Sequence, residues 1–209
     1  MVNIVELKRE QIELAKKIIT TDQFDKVETI AGVDVAAYED ELISAIIVCD
    51  AKNMKILEEK YAVEKAPLPY IPGYLAYREM PIAIKAFHRL ETKPDVVVFD
   101  GNGILHPRRI GIASHFGLLT DTPTIGVAKK LLCGNLKDGK IEVDKEIRAI
   151  ELKTRDVSKP IIVSPGHKIS LQTAVRIIQD TLKGHKLPEP LYLAHKYANK
   201  VKKNLREED

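Results

Sequence analysis

Three β-rich runs follow one another in the first third of the chain, separated by links of only three residues. The runs cover residues 28–38, 42–50 and 54–62, and the links between them are largely polar. Short polar links of this kind are typical of connections between antiparallel neighbours in a sheet. The sequence therefore predicts three consecutive antiparallel strands, and this order limits the folds that the rest of the chain can complete.

The middle of the chain alternates predicted helices with predicted strands. Residues 96–99, Val-Val-Val-Phe, form a continuous apolar run, which is typical of a strand covered on both faces. The run ends at Asp100 and opens into a glycine-rich loop at residues 101–103. The other elements predicted here are a proline-rich loop over 67–73, a helix over 75–90, a helix over 110–119 and a strand over 124–127.

Both ends of the chain predict further helices. Asn3 and Glu6 have the spacing of a capping box that opens a helix reaching about residue 19. The remaining predictions are short strands over 141–143, 147–152 and 160–163, and helices over 170–182 and 191–205. Three antiparallel strands followed by helix, strand, helix and strand give a mixed α/β central sheet flanked by helices, the order found in the ribonuclease H-like fold. No internal repeat or long linker interrupts the pattern, so we expect a single domain over residues 1–209.

Composition places the chain among globular proteins, with 44% hydrophobic and 30% charged residues. No apolar run approaches the roughly 18 residues of a membrane span, and the N-terminus has a charged helix pattern rather than a signal peptide. The two cysteines lie in apolar surroundings, which argues against a secreted disulfide framework and against a zinc cluster. We therefore expect a cytoplasmic protein that does not associate with membranes.

Charge is distributed unevenly along the chain. Residues 1–100 carry 13 Lys and Arg against 18 Asp and Glu, whereas residues 101–209 carry 20 against 12. A basic half favours a nucleic-acid partner, because basic side chains that neutralise phosphates supply most of the non-specific affinity. Solvated lysine-rich helices would give the same count, so composition leaves both interpretations open.

Three acidic residues are candidates for a functional site. Asp34 lies in the middle of an otherwise apolar predicted strand, where an unpaired carboxylate would be costly. Asp100 closes the buried strand at its carboxyl end, where the sites of α/β sheets gather. Glu79 lies near the start of the helix after the proline-rich loop. Taken singly, each has a structural explanation: a lysine partner, a turn, or a favourable place near a helix N-terminus. Together they predict an oxygen-only site suited to Mg²⁺ or Mn²⁺.

Several longer motifs occur in the order known from one protein family. They are Gly-Val-Asp at 32–34, Pro-Tyr-Ile-Pro-Gly at 69–73, Tyr-Arg-Glu at 77–79, Asp-Gly-Asn-Gly at 100–103, the run from His106 to His115, Gly-Val-Ala-Lys at 126–129, Leu-Cys-Gly at 132–134 and Leu-Ala-His at 193–195. In these segments the chain resembles endonuclease V, the deoxyinosine 3′-endonuclease family. The resemblance extends from about Ile30 to Tyr197.

The resemblance implies a ribonuclease H-like DNA repair enzyme whose partner is DNA containing deoxyinosine, the deaminated form of deoxyadenosine. We expect the protein to be a monomer. It implies Mg²⁺-dependent hydrolysis by water, with Mn²⁺ as a substitute for Mg²⁺. The bond cleaved would be the second phosphodiester 3′ to the lesion, and the products would carry a 3′-hydroxyl and a 5′-phosphate.

The resemblance also implies catalytic roles for five residues. Asp34 and Asp100 match the metal ligands of the family, and Glu79 matches its third acidic residue. Lys129 matches a basic residue beside the scissile phosphate, and His195 matches a position near the metals. An ordinary surface lysine and a partly buried structural histidine are the alternatives for the last two.

Tyr70 and two arginines are the candidates for contacts with the DNA strand. The resemblance implies that Tyr70 is a wedge that enters the duplex and fills the space left by a flipped inosine, and the two prolines of its loop stiffen the backbone that presents the ring. A tyrosine packed over the sheet edge is the alternative. Arg108 and Arg109 are candidates to clamp the DNA backbone.

Base recognition is expected from backbone groups near three glycines. Hypoxanthine differs from adenine in presenting O6 and an N1–H donor, and backbone N–H and C=O groups can read that edge once the base has left the stack. Gly73, Gly101 and Gly103 would let the backbone approach closely, although all three could serve only as turns. His106 and His115 are expected to be scaffold or phosphate contacts rather than general bases.

Two other functions stay open at the sequence level. The first is a ribonuclease that acts at inosine in RNA, because nothing in the sequence separates deoxyribose from ribose. The second is a non-catalytic module that binds deaminated or bent nucleic acid. The three converging carboxylates argue against the second, because a binding module has no use for them.

Overall fold

The chain is described by a computed structural model over residues 3–208, with side chains over 3–207. The strands are β1 Thr29–Tyr38, β2 Glu41–Asp50, β3 Ile56–Lys65, β4 Val96–Asp100, β5 Thr124–Ala128, β6 Asn135–Lys137, β7 Lys140–Val143, β8 Glu146–Leu152 and β9 Ile161–His167. The helices are α1 Ile4–Ala15, α2 Leu75–Phe87, α3 Ile112–Thr120, α4 Leu171–Asp180 and α5 Glu189–Glu208. Within this part of the chain, no helix is both long and apolar enough to cross a membrane.

One mixed sheet contains all of these strands, in the order β3-β2-β1-β4-β5-β9-β8-β7-β6. Strands β1, β2 and β3 pair antiparallel, whereas β4 lies parallel to β1 and β5 lies parallel to β4. The last four strands extend the sheet antiparallel from β5. The predicted α/β fold, with three antiparallel strands followed by parallel ones, is therefore confirmed.

The two faces of the sheet are covered by different helices, as the alternation of side chains along a strand requires. On one face, Ile30 and Val98 pack with residues of α4 and α5. On the other face, Val33 and Phe99 pack with residues of α2 and α3. Because β1 and β4 are covered on both sides, a polar side chain on either strand has to find its partner within the protein or at the end of the sheet.

Helix α1 ends earlier than the sequence predicts. Its start agrees, since Asn3 Oδ1 accepts hydrogen bonds from the backbone N–H groups of Val5 and Glu6. Its last residue is Ala15, although the apolar pattern continues to about residue 19. The backbone of Ile19 leaves the helix because its carbonyl accepts a hydrogen bond from Lys168 N at the end of β9. A contact across the fold therefore replaces the last helical turn.

The last third contains one strand that the sequence analysis missed and one that is longer than predicted. Strand β6 is only three residues long and fully exposed, so it has no apolar pattern to reveal it. Strand β9 continues through Pro165 to His167. The proline is tolerated because β8 pairs with β9 only at Ile161–Val163, which leaves the later residues without a ladder partner on that side.

Candidate active site

Asp34, in the middle of β1, lies beside Asp100, at the carboxyl end of the parallel strand β4. The register pairs Val33 of β1 with Phe99 of β4, so the next residue on each strand is one of the two aspartates. Asp34 is 5% exposed and lies on the face of β1 that is covered by α5. The structure therefore brings together the two carboxylates that the sequence analysis placed on central strands.

Electrostatics show that Glu79 belongs to the same group. Burial, followed by repulsion from Asp100 and Asp34, raises the pKa of Glu79 to about 8. Burial and the neighbouring Asp100 also raise the pKa of Asp34 to about 6, although His195 opposes this shift. The charge of Asp100 thus raises the pKa values of both Asp34 and Glu79, and the group as a whole favours a bound positive charge.

Lys129 supplies one positive charge to this group. Its Nζ lies 2.5 Å from Asp100 Oδ2, in an ion pair that is partly exposed to solvent. The placement follows from the strand order, because Asp100 pairs with Val127 and Lys129 is two residues further along, on the same face. The lysine predicted to lie near the scissile phosphate is therefore beside the acidic group, and its role there remains a prediction.

His195 contacts Asp34 from helix α5. Asn199, one helical turn later, donates from Nδ2 to His195 Nε2 (3.2 Å) and to His195 O (2.9 Å). This leaves the Nδ1–H of His195 to donate to Asp34 Oδ2 at 3.0 Å. The His195 side chain is 47% exposed, so it lies at the rim of the site and can face a bound strand.

Gly32 allows helix α5 to reach this position. A Cβ at Gly32 would lie 2.2 Å from the backbone carbonyl of Pro190, so the start of α5 packs directly on β1. From there Asp34 is two residues along the strand and His195 is four residues beyond Leu191 along the helix. A strand rises about 3.3 Å per residue and a helix about 1.5 Å per residue. Asp34 and His195 therefore both lie about 6 Å beyond the contact at Gly32, one along β1 and the other along α5. The close packing at Gly32 therefore sets the contact between His195 and Asp34.

The donor set of the acidic group fits a hard divalent cation. Asp34, Asp100 and Glu79 offer only oxygen ligands, and neither cysteine takes part. Within residues 3–207, no three His, Cys, Asp or Glu side chains are gathered closely enough to hold a metal ion as they stand. Contacts with Lys129 and His195 hold Asp100 and Asp34, so cation binding would require these side chains to readjust.

A pocket of about 110 Å³ lies next to the acidic group. A single water needs only about 10–15 Å³, so the pocket has room for a larger group. It is lined by residues of α1, the proline-rich loop, α2, the loop after β4 and the segment after β5: Gln11, Tyr70, Gly73, Leu75, Ala76, Asn102, His106, Ile110, Gly111, Ile112 and Leu132. Asn102 is two residues beyond Asp100, which connects the pocket directly to the acidic strand end.

Tyr70 lies at the rim of this pocket with 65% of its surface exposed. The loop that carries it is held at both ends, since Arg78 donates to Leu68 O and three side chains bond to Gly73 O. An exposed ring on an anchored loop agrees with a wedge better than with a ring packed over the sheet. Its role in binding a strand remains a prediction.

The three predicted glycines have different local roles. Gly73 lines the pocket and has a φ of +79°. Gly101 has a φ of +154°, and a Cβ there would lie 2.4 Å from a side-chain carbon of Ile112. Gly103 packs on the backbone of Pro165, and its N–H donates to Ser164 Oγ at 2.8 Å. The close approach predicted at Gly103 is therefore made by the protein's own strand β9.

The two predicted arginine clamps are bound to protein partners. Arg108 donates from Nε to Gln11 Oε1 (2.5 Å) and from Nη2 to Gly73 O (2.7 Å). Arg109 forms a bidentate ion pair with Glu146, donating from Nη2 to Oε1 at 2.8 Å and from Nε to Oε2 at 3.0 Å. Each bond holds a loop near the pocket, so the two side chains organise the site from within the protein.

Both histidines of the same segment are buried in the structure, and their assignment as scaffold or phosphate contacts stays a prediction. His106 is buried, and burial together with nearby Arg108 lowers the pKa of its ring to about 4. His115 is also buried, which lowers its pKa, and its ring packs edge-on against Tyr77 with centroids 5.5 Å apart.

The sheet order, with the parallel strands β1, β4 and β5 beside the antiparallel strands β2 and β3, is that of the ribonuclease H-like class. A family model described as endonuclease V matches residues 12–196. The chain therefore belongs to the endonuclease V family, and the resemblance stated from the motifs is confirmed. The match begins well before Ile30 and includes the end of α1.

Relatives agree over nearly the whole chain. Endonuclease V of Dictyoglomus thermophilum is 44% identical over 201 residues, which cover 92% of this chain and 88% of that protein. The crystal structure of endonuclease V from Bacillus subtilis has a TM-score of 0.92 at 31% identity, covering 100% of this chain and 96% of that one. Endonuclease V of Ciona intestinalis, solved with a 24mer DNA containing an inosine followed by a ribo-adenosine, is 33% identical with a TM-score of 0.89, covering 97% and 98% of the two chains.

Four residues of the site were not singled out from the sequence. Gly32 had a usable signal, because glycine inside a strand often marks a close backbone approach. Asn199 follows His195 by four residues, which places both on one face of a helix. Gln11 and Asn102 are polar residues whose burial becomes evident only in the folded chain.

Proposed function

We propose that this protein is a cytoplasmic DNA repair endonuclease that recognises deoxyinosine and hydrolyses the second phosphodiester bond 3′ to it. One observation carries the proposal: the acidic group and the pocket are adjacent in the chain. Asp100, at the end of β4, is followed two residues later by Asn102, which lines the pocket. The cleaved bond is P–O3′, so that water supplies the oxygen of a 5′-phosphate and the other product keeps a 3′-hydroxyl.

The acidic group supports Mg²⁺ as the cofactor, with Mn²⁺ as a substitute. Asp34, Asp100 and Glu79 would hold the ion, because the raised pKa values of Asp34 and Glu79 mark negative charge that the protein neutralises only in part. When bound, Mg²⁺ would help to ionise water and neutralise charge on the phosphate. The side chains themselves contribute a fixed arrangement of oxygen ligands at the edge of a rigid sheet.

Lys129 and His195 flank the carboxylates and support a role on the strand. The Lys129 ammonium is partly exposed, so it can leave its ion pair with Asp100 and bind a phosphate oxygen instead. It would then still lie beside the bond that is cleaved. Asn199 orients the His195 ring, which donates a hydrogen bond to Asp34 from helix α5. The two side chains would orient a phosphodiester between them.

Asn102 supports recognition of hypoxanthine in the pocket. Its Oδ1 is buried and has no hydrogen-bond partner among residues 3–207, yet Asn102 lines the pocket. Hypoxanthine has an N1–H that can satisfy this acceptor, whereas adenine has no hydrogen at N1. A buried acceptor left unpaired costs about 1–3 kcal/mol, which favours the deaminated base.

Inosine in RNA is the second candidate substrate. The Ciona intestinalis relative was solved with DNA in which a ribo-adenosine follows the inosine, so in that protein a ribose is accommodated beside the lesion. The same pocket and carboxylates would serve both substrates, because the base edge is identical.

Cleavage of short labelled oligonucleotides tests both candidates. Each contains a single inosine, in duplex DNA, single-stranded DNA or RNA, with adenine in its place as the control, and is incubated with Mg²⁺, Mn²⁺ or EDTA. We expect a nick at the second bond 3′ to inosine in DNA, with a 3′ end that a polymerase extends and no product in EDTA. Cleavage confined to RNA would make the ribonuclease the correct function. Binding of inosine DNA without cleavage in either metal would leave a non-catalytic module.

The cysteine thiols support the proposed cytoplasmic location. Cys49 and Cys133 are both free. Free thiols are typical of a reducing compartment such as the cytoplasm.

We also propose that the protein acts as a monomer, which light scattering of the protein with and without inosine DNA would test.

A further inference from the structure

Helix α1 contains one buried polar side chain on an otherwise solvent-facing surface. Gln11 is 1% exposed, while its neighbour Ile12 is 43% exposed. A buried amide is costly unless its polar atoms are bonded, so Gln11 is expected to have specific partners. Gln11 also lies one residue before the span that matches the family model, which begins at residue 12.

Both ends of the Gln11 amide are bonded to segments that border the pocket. Its Nε2 donates to Gly73 O at 3.1 Å, at the end of the proline-rich loop. Its Oε1 accepts from Arg108 Nε at 2.5 Å, in the loop after β4. Gln11 therefore joins three separate parts of the chain, namely α1, the Tyr70 loop and the loop after β4.

The carbonyl of Gly73 is the point where these bonds converge. Besides Gln11 it accepts from Arg108 Nη2 at 2.7 Å and from His106 Nε2 at 3.1 Å. The ring of His106 can donate from Nε2 because its Nδ1 accepts from Arg108 N at 3.2 Å. Arg108 in turn lies over the Tyr74 ring, 4.5 Å from its centroid. One backbone carbonyl is thus held by three side chains from two other segments.

Gly73 is also the residue where the loop turns. Its φ of +79° lies in the region that glycine adopts without strain, so the backbone at this point depends on its neighbours for rigidity. Tyr70 is three residues earlier, and the opposite end of the loop is held where Arg78 donates to Leu68 O. The direction of the Tyr70 ring is therefore set by two anchors, of which the one at Gly73 has more bonds.

We propose that Gln11 is a positioning residue that fixes Gly73 O and so holds Tyr70 ready to enter a duplex. The inference rests on the proposed role of Tyr70 as a wedge. A loop ordered before binding loses less entropy when it inserts its ring, so duplex substrates gain from the anchor. A single strand has little stacking to disrupt and gains much less.

The absence of tryptophan from the chain allows a direct measurement. Tyr70→Trp places a single indole on the loop of the full-length protein. We compare it with Gln11→Met, which has similar volume and no donor, and Gln11→Glu, which keeps the acceptor for Arg108 but loses the donor to Gly73. Gln23→Met is the matched control, because the Gln23 amide bonds only to Thr21 and Asp22 on the surface.

We expect both Gln11 variants to increase the fast local motion of the indole in time-resolved anisotropy, and Gln23→Met to leave it unchanged. With Tyr70 intact, each Gln11 variant should lower kcat/KM on inosine duplex by about 3- to 10-fold, the range for one lost hydrogen bond. Because Gln11 also lines the pocket, cleavage of single-stranded inosine DNA should fall too, but by a smaller factor than duplex cleavage, so that the ratio of the two rates changes.

The outcomes separate this proposal from the one on which it rests. If inosine duplex in Ca²⁺ fails to quench the indole of Tyr70→Trp itself, Tyr70 is not a wedge and the anchor has no such purpose. If quenching is normal and the Gln11 variants match Gln23→Met in motion and in duplex cleavage, the positioning role alone is overturned. Equal losses on duplex and single strand, with a lower melting temperature, would also overturn it, because they indicate a purely structural residue.

Discussion

Lys129 Nζ lies 2.5 Å from Asp100 Oδ2, which places a partly exposed ammonium directly on a carboxylate of the acidic group. The contact is a consequence of the parallel pairing of β4 with β5, since Asp100 and Val127 are partners in the ladder. A lysine at this position can neutralise Asp100 in the free protein and a phosphate in the bound one. Lys129 itself does not line the pocket.

Lys129→Ala should therefore slow cleavage without changing the preferred base. A charge-assisted hydrogen bond contributes about 1.5–3 kcal/mol, so the rate should fall roughly 10- to 100-fold. Single-turnover rates on inosine and adenine duplexes measure both quantities. A changed ratio between the two bases would place Lys129 in the recognition pocket instead.

Asp34→Asn and Asp100→Asn should each abolish nicking while leaving inosine DNA bound in Ca²⁺. The amide keeps the shape of the carboxylate but loses the charge that holds a cation. Gel-shift titrations in Ca²⁺ and nicking assays in Mg²⁺ measure the two properties on the same protein. Normal turnover by either variant would contradict the assignment of the metal site.

Glu79→Gln should also be severe, and Mn²⁺ should restore part of its activity. Burial and two neighbouring carboxylates raise the pKa of Glu79 to about 8, above the value of about 6 for Asp34, so the protein neutralises the charge of Glu79 less. Mn²⁺ tolerates a poorer set of ligands, which makes the loss of one carboxylate less damaging. The measurement is the ratio of nicking rates in the two metals, compared with the same ratio for the parent protein. An unchanged ratio would argue that Glu79 does not contact the ion.

The sequence predicted the centre of the fold because its signals there are local. Links of three residues specify antiparallel neighbours, and an apolar run such as 96–99 specifies a strand covered on both sides. The end of α1 was mispredicted because the bond from Lys168 N to Ile19 O joins residues far apart in the chain. The exposed strand β6 escaped detection because it has no apolar face.

The same distinction applies to the site. Asp34 and Asp100 were predictable because a carboxylate within or directly after an apolar strand is conspicuous. Arg108 and Arg109 are predicted from the sequence to clamp the DNA backbone, and that role stays a prediction. Their partners in the structure are Gln11 and Glu146, which are 97 and 37 residues away in the chain, so no local pattern could reveal them.

His106 should make the folded state sensitive to acid. Burial and Arg108 lower the pKa of His106 from 6.5 to about 4, so the folded protein resists protonation at a pH where the unfolded chain accepts it. The stability that this contributes is fully present above pH 6.5 and is lost as the pH falls toward 4. The loss amounts to about 3 kcal/mol at most.

Urea unfolding across this pH range measures the effect, with His106→Gln as the test. The variant should show a shallower decline in the free energy of unfolding than the parent, because glutamine has no proton to gain. His88→Gln is the control, since His88 is exposed. If both variants decline as steeply as the parent, other groups, such as the buried His115, account for the acid sensitivity.

Tyr70→Ala should separate duplex from single-stranded substrates. The ring is 65% exposed at the rim of the pocket, on a loop anchored at Leu68 and Gly73. Stacking of a base on an aromatic ring contributes about 1–3 kcal/mol, so binding and cleavage of inosine in a duplex should weaken roughly 10- to 100-fold. Inosine in a single strand requires little unstacking, and its cleavage should fall much less. The melting temperature should barely change, because an exposed ring contributes little to the core.

Tyr61→Ala is a matched control: this ring is also exposed, but it lies on β3 and packs edge-on against Tyr197 with centroids 5.8 Å apart. Equal losses on both substrates for Tyr70→Ala, or a large drop in melting temperature, would mean that the ring supports the loop rather than the opened duplex.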